Sequence, residues 1–204
     1  MTNWNNLARK NSHYYIYSNE GENIDAESFR RSGERDVQEL VLDDVLLKAH
    51  LQPFKEKTMV EIGCGIGRLT EFLIPHFKRV YGFDISSEMI QQGKQRLPEA
   101  FLISTDGQSI PLENESVDFV FSFITFQHMP NKKIVKRNMS EIERVLKVGG
   151  GVAKIQFRGT PTKRFQWYSG ISFSEKDLLK LAQGLKIINV EGVGQKYMWV
   201  WFQK

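Results

Sequence analysis

Beyond the first fifty-odd residues, the apolar positions fall in short unbroken runs separated by stretches of helical periodicity. From Thr58 onward TMVEI, RVYGF, FLIS, VDFVFSFI and VAKIQF read as strands, and helices are predicted near 67–75, 86–96 and 131–147. A strand that is apolar on successive residues is buried on both faces, and the intervening helices supply the covers. The pattern therefore predicts a doubly wound α/β fold with a mostly parallel sheet. At the end of the chain, LKIINVEGVG and QKYMWVWFQK are joined by a glycine-containing turn that leaves no room for a crossover helix. They form a hairpin, so one terminal strand runs antiparallel. Residues 1–57 differ in character. Ser32 is placed to cap a helix with Val37, Leu40, Val41 and Leu47 at helical spacing, and Pro53 closes it. The expected organisation is one domain, a helical arm (1–57) followed by an α/β core (58–204).

The sharpest local signal is Val60-Glu61-Ile62-Gly63-Cys64-Gly65-Ile66-Gly67-Arg68, a strand that runs into three glycines on alternate positions and then into a predicted helix. Without Cβ atoms the chain can turn sharply off the strand and approach a ligand closely, and the first N–H groups of a helix favour a polar or anionic partner. The loop suits an elongated, nucleotide-like molecule. A dinucleotide fingerprint would need a small residue where Arg68 stands, and a phosphate-binding Walker loop would need G-K-[ST] after the glycines. Neither is present. Asp84 ends the second strand 21 residues after Gly63, the spacing at which a carboxylate accepts the two hydroxyl protons of a ribose.

Taken in order, V-E-I-G-C-G-I-G-R, G-F-D-I-S-S-E-M-I, S-T-D-G-Q-S-I-P-L, S-V-D-F-V-F-S and E-I-E-R-V-L-K-V-G-G-G resemble the class I S-adenosylmethionine-dependent methyltransferases over roughly residues 58–158. The likeness is strongest to the broad group that acts mostly on small molecules. It implies a Rossmann-like, seven-stranded sheet whose last strand is reversed, with S-adenosylmethionine as cofactor and S-adenosylhomocysteine as product. By position, Glu61 and the backbone of Gly63, Cys64, Gly65 and Gly67 would surround the methionine part, and Asp84 would hold the ribose. Ile85 and Met89 would flank the adenine, and Asp106 or Gly107 would address its edge. Ser122 and Phe123 would border the place where the sulfonium methyl meets its acceptor. One departure is Val148, where the family usually has proline in L-K-P-G-G. It touches a helix-to-strand turn away from the cofactor. Asp118, at the start of the fourth strand, reads as structural.

Methyl transfer from a sulfonium asks the protein mainly to align donor and acceptor, so a base is optional. His128, just past the fourth strand, is the candidate catalytic residue, able to remove a proton from a hydroxyl or ammonium acceptor; its plain alternative is a packed loop histidine. His13, His50 and His76 show no pair at metal-ligand spacing, and no metal is expected. Tyr14, Tyr15, Tyr17, Phe29, Trp167 and Tyr168 lie in the parts of the chain that would close over an acceptor, either lining a pocket or packing a lid. Arg30, Arg31 and Arg35 could meet a carboxylate or simply be surface charges.

Composition changes this picture little. With 41% hydrophobic and 25% charged residues the chain can fill a core, which excludes a disordered protein. No run approaches the length of a membrane span, no secretory leader is evident, and the single cysteine, Cys64, suits a reducing compartment, so cytoplasmic residence without a membrane partner is expected. The formal charge of +4 conceals an asymmetry: residues 1–58 carry −2, whereas residues 132–164 hold ten basic side chains against Glu141 and Glu143. That stripe supports the alternative of an RNA or protein methyltransferase, against which stand a solvated helix face and the lack of interleaved stacking aromatics. A fold retained only as a binding module is the remaining alternative. The expected partner is a small-molecule methyl acceptor.

Overall fold

A computed structural model describes residues 3–162 and 170–204. Its seven strands are β1 (Thr58–Ile62), β2 (Arg79–Asp84), β3 (Phe101–Ser104), β4 (Phe119–Ser122), β5 (Val152–Phe157), β6 (Lys186–Glu191) and β7 (Met198–Gln203). They line up in one mixed sheet in the order β3-β2-β1-β4-β5-β7-β6. The described helices are α1 (Trp4–Ile16), α2 (Ala26–Val37), α3 (Val45–Leu51), α4 (Thr70–Leu73), α5 (Ser87–Arg96), α6 (Lys132–Val145) and α7 (Glu175–Ala182). This is the doubly wound α/β architecture that the sequence pattern predicts, and the Rossmann-like, seven-stranded sheet that the resemblance implies. The terminal hairpin is present as well: β7 runs antiparallel to both β5 and β6. The backbone forms two compact units, residues 3–105 and 106–204.

In the first unit β1, β2 and β3 pair in parallel. α5 starts where Ser86 accepts the Met89 N–H, and it turns Met89, Ile90 and Gly93 inward. Cys64, Ile90 and Leu102 pack between this helix and the strands. The arm departs from expectation. Ser32 caps nothing; it lies buried inside α2, which is capped by Asp25 accepting the Ser28 N–H at 2.8 Å. Nor is there one long helix, because the chain passes through a wide turn at Gln38–Leu42 and restarts at α3 under an Asp44 cap. Short polar side chains that bond the backbone locally decide such starts, and the apolar spacing bridges the break without revealing it. The predicted helix near 67–75 is also reduced to the four residues of α4.

The arm is anchored by a buried charge. The Arg68 guanidinium donates to Asp36 at 2.7 Å and to the Ser32 hydroxyl at 3.1 Å, and it lies 5.1 Å from the centre of the Tyr17 ring. Phe29 is buried beside it with Ala8, Tyr17, Ile66 and Met89, burial worth ~1.5–3 kcal/mol for such a side chain.

In the second unit Asn131 caps α6 by accepting the Ile134 N–H at 3.1 Å. Val135, Met139, Ile142 and Val145 form its buried stripe, the 3.6-residue period of an amphipathic helix. Val148 is 66% exposed in the turn before β5, so replacement of proline there disturbs no packing. Asp118 pairs with Lys147 at 2.9 Å across the same turn, as its structural reading expects.

Breaking one partner of a buried ion pair leaves the other charge desolvated, at a cost of about 3–5 kcal/mol. Asp36→Ala is expected to lower the urea-unfolding free energy by about that much, and the double variant Asp36→Leu, Arg68→Met to recover most of it.

Candidate active site

The glycine loop leaves β1 with Gly63, Gly65 and Gly67 all at positive φ. The loop is held from β2: Gly63 and Cys64 donate their N–H groups to the Phe83 carbonyl at 2.7 and 3.1 Å. Asp84 completes the clamp. One carboxylate oxygen accepts the Gly65 N–H at 2.9 Å and the other accepts the Ser86 N–H at 2.8 Å. An ionised carboxylate offers about four lone-pair positions, so both oxygens retain acceptor capacity. Burial raises the Asp84 pKa, partly offset by these N–H bonds. Such a carboxyl gains from any further donor, and the vicinal hydroxyls of a ribose are donors of that kind.

Gly65 is required twice over. Its φ is +56°, and a Cβ there would stand 2.8 Å from the Ile16 side chain, so the arm comes down directly on the loop. Arg96 reinforces the underside, donating to the Ile66 and Gly67 carbonyls and pairing with Glu71, which also receives Arg30 at 2.8 Å. Glu61 is buried and accepts the Thr70 hydroxyl proton at 2.6 Å. Its pKa is pushed up to about 7 by burial, an effect that Thr70 and Arg68 only partly offset.

The other assigned residues of this unit divide. Ile85 is exposed beside Asp84, whereas Met89 is buried in the arm cluster. Tyr17 and Phe29 enter the same cluster, and Tyr14 and Tyr15 remain half-buried against each other. Arg31 pairs with Glu27, and Arg35 donates to the Tyr17 hydroxyl at 3.0 Å. The three arginines of α2 thus have partners within the protein. His13 packs on Phe29 with ring centres 4.2 Å apart, and His50 and His76 are exposed. Among the described residues no group of three or more His, Cys, Asp or Glu side chains could hold a metal ion.

In the second unit Asp106 spends one carboxylate oxygen on its own turn, accepting the N–H groups of Gln108 and Ser109 and the Ser109 hydroxyl at 2.8–2.9 Å. These bonds hold its pKa down. The Gly107 carbonyl accepts the Asn138 amide at 2.8 Å. Ser122 is buried at the end of β4, and Phe123 packs on Tyr197 and Trp199 at 5.9 and 5.3 Å between ring centres. His128 stands in the turn Phe126–His128, with its pKa lowered to about 4 by burial and by Arg158. Gln127 lies 3.2 Å from its Nε2 atom; neither Gln127 nor Gln156 carries a sequence signal that would single it out. Trp167 and Tyr168 fall outside the described residues.

Among the described residues the basic stripe does not survive as one surface. Lys132 pairs with Asp177, Arg144 with Glu141 and Lys147 with Asp118. Lys154 is buried between the Trp199 and Trp201 rings, 4.9 and 4.7 Å from their centres. Lys133, Lys136 and Arg137 remain exposed on α6, and Lys163 and Arg164 lie outside the described residues.

Residues 60–153 match a family described as a methyltransferase domain. An uncharacterized methyltransferase of Anoxybacillus flavithermus is 28% identical over 153 residues, covering 74% of this chain and 68% of that protein. A malonyl-[acyl-carrier protein] O-methyltransferase of Hamiltonella defensa is 27% identical over 96 residues, covering 47% of this chain and 36% of that protein, so the chain spans about a third of this relative's length. The crystal structure of a SAM dependent methyltransferase from Aquifex aeolicus shares the fold, with a TM-score of 0.60 at 21% identity, covering 88% of this chain and 98% of that one.

The two shifted groups pull stability in opposite directions. The Glu61 contribution is complete below its ordinary value of 4.5 and fades as pH rises through about 7; that of His128 is complete above 6.5 and fades as pH falls through about 4. Urea denaturation at a series of pH values is expected to show Glu61→Gln flattening the loss between pH 4.5 and about 7. The His128 ring signals are expected not to titrate between pH 5.5 and 8 in an NMR titration, given its value of about 4.

Proposed function

We propose that this chain, a member of the class I S-adenosylmethionine-dependent methyltransferases, moves the methyl group of S-adenosylmethionine to an oxygen, nitrogen or carbon atom of a small-molecule acceptor. The observation that carries this reading is the glycine loop clamped by Asp84, whose carboxylate keeps acceptor capacity beside Gly65. Such an acceptor suits the vicinal hydroxyls of a ribose, and Arg68, committed to Asp36 and Ser32, stands where a dinucleotide fingerprint needs a small residue.

When bound, S-adenosylmethionine supplies a methyl group already attached to a good leaving group. The work left to the chain is to bind, orient and exclude water. Asp84 takes the ribose hydroxyls, and the loop from Gly63 to Gly67, with Cys64, lies along the methionine part. Glu61 is a desolvated carboxyl on the same side, and a nearby ammonium would favour its ionised form. Ile85 and Met89 are assigned to the adenine, together with Asp106 and Gly107. Ser122 and Phe123 are assigned to the neighbourhood of the reacting methyl, with His128 beyond them. A small or carrier-borne acceptor is supported by the relative that acts on malonyl-[acyl-carrier protein]. The dispersal of the basic stripe into pairs and a buried lysine counts against RNA. Among the described residues no helix is long and apolar enough to cross a membrane. Cytoplasmic residence belongs to the same reading, supported by the lone, buried Cys64.

Calorimetry tests it. Both S-adenosylmethionine and S-adenosylhomocysteine are expected to bind the wild type. Asp84→Asn, which keeps an acceptor for Gly65 but loses the charge and the acceptor for Ser86, is expected to bind roughly 100-fold more weakly, as for lost bonds to a charged group. Absence of heat with either compound on the folded wild type overturns the proposal.

A further inference from the structure

Beyond β4 the chain enters a strained turn. Ile124 has φ +53°, a conformation that is a genuine outlier for a β-branched residue. It is held there by its N–H, which donates to Oε1 of Gln156 at 3.0 Å. Gln156 is wholly buried on β5, and its amide has only one admissible orientation. A backbone N–H can only donate, so the oxygen must face Ile124. The carbonyls of Phe157 and Lys196 can only accept, so Nε2 must face them.

That orientation propagates. Nε2 of Gln156 also faces Oε1 of Gln127 at 3.4 Å, the longest of three contacts that share its two protons; turning the Gln127 amide over would set two NH2 groups against each other. Gln127 therefore points its own Nε2 at Nε2 of His128, 3.2 Å away. An amide nitrogen has no lone pair to offer, so the ring nitrogen must accept, and in the neutral imidazole the proton then sits on Nδ1. The Gln127 backbone is equally fixed. Its carbonyl accepts the Ile171 N–H at 2.7 Å, and the chain passes so close at Gly170 that a Cβ there would lie 1.9 Å from that oxygen.

We propose that Gln156 and Gln127 are positioning residues that hold His128 as its Nδ1–H tautomer, with the Nε2 lone pair committed to Gln127, so that the ring does not act as a base. Burial and Arg158 keep the ring neutral, which the relay requires. The consequence for the acceptor rests on the methyl-transfer reading above: a nucleophile with a lone pair already available at neutral pH, as a carboxylate or an unprotonated amine has, needs nothing from this ring, whereas an aliphatic alcohol would need a base other than His128.

The test requires neither cofactor nor acceptor. In two-bond proton–nitrogen correlation spectra of protein labelled with 15N-histidine at pH 7, the His128 signals, assigned by their loss in His128→Asn, are expected to show a pyrrole-type Nδ1 and a pyridine-type Nε2. Gln127→Glu replaces a donor with a group that only accepts, so the two nitrogen types are expected to exchange. Gln127→Met removes the donor without supplying an acceptor and is expected to give a mixture. A wild-type ring protonated on Nε2, or an unchanged tautomer in a folded Gln127→Glu or Gln127→Met variant, overturns the proposal. The wild-type spectrum decides it alone if neither variant folds. Failure of the methyl-transfer reading would appear instead as absent cofactor binding, with the tautomer intact.

Discussion

The bond between the Gly65 N–H and the Asp84 carboxylate is the constraint on which the N-terminal unit turns. It joins the loop after β1 to the end of β2, and it holds a glycine at φ +56° where the arm rests on it through Ile16. A carboxylate accepting backbone N–H bonds is well placed to accept more, and that is the sense in which structure and chemistry meet here. The same side chain that stabilises the loop is the one proposed to receive the ribose hydroxyls. Around it, the raised pKa values of Asp84 and Glu61 have a common cause, the removal of two carboxyls from water.

The charges of the arm and of the basic stripe show how little a count of charges says about function. Arg68 entered the argument as a residue too large for a dinucleotide loop, and it proved to be the buried anchor that ties α2 to the loop through Asp36 and Ser32. Arg30, Arg31 and Arg35, which could have faced a ligand, bond to Glu71, Glu27 and Tyr17. Of the cations gathered between 132 and 164, Lys154 is buried against two indole rings. Apart from the Arg31–Glu27 pair, which lies within one turn of α2, each of these outcomes is set by a partner distant in the chain. An arm resting on the glycine loop also limits what the loop can hold, since Ile16 must remain compatible with whatever occupies it.

The C-terminal unit turns on orientation. Gln156, Gln127 and His128 form a line of polar groups in which each has its direction fixed by the one before, beginning from backbone groups that have no freedom to exchange donor for acceptor. Buried polar chains of this kind tolerate no reversal, because one wrong amide leaves two donors facing each other without water to relieve them. The strained Ile124 is held where the line begins, at the end of a strand where functional residues are expected.

The strands, the parallel sheet, the terminal hairpin and the glycine loop were all legible in the amino-acid order. So was Asp84 as the acid after the second strand. These features depend on neighbours two, three or four residues away, and periodicity and glycine placement record such neighbours faithfully. The arm was read less well: Ser32 looked like a cap because the true cap, Asp25, and the break near Asp43 leave the apolar spacing intact. The tertiary structure alone decided the ion pair of Arg68, the burial of Met89 among arm residues, and the direction of the His128 ring. A side chain's partner and its proton depend on groups brought near by folding, such as Gln127 and Gln156, 29 residues apart, and no local pattern encodes that meeting.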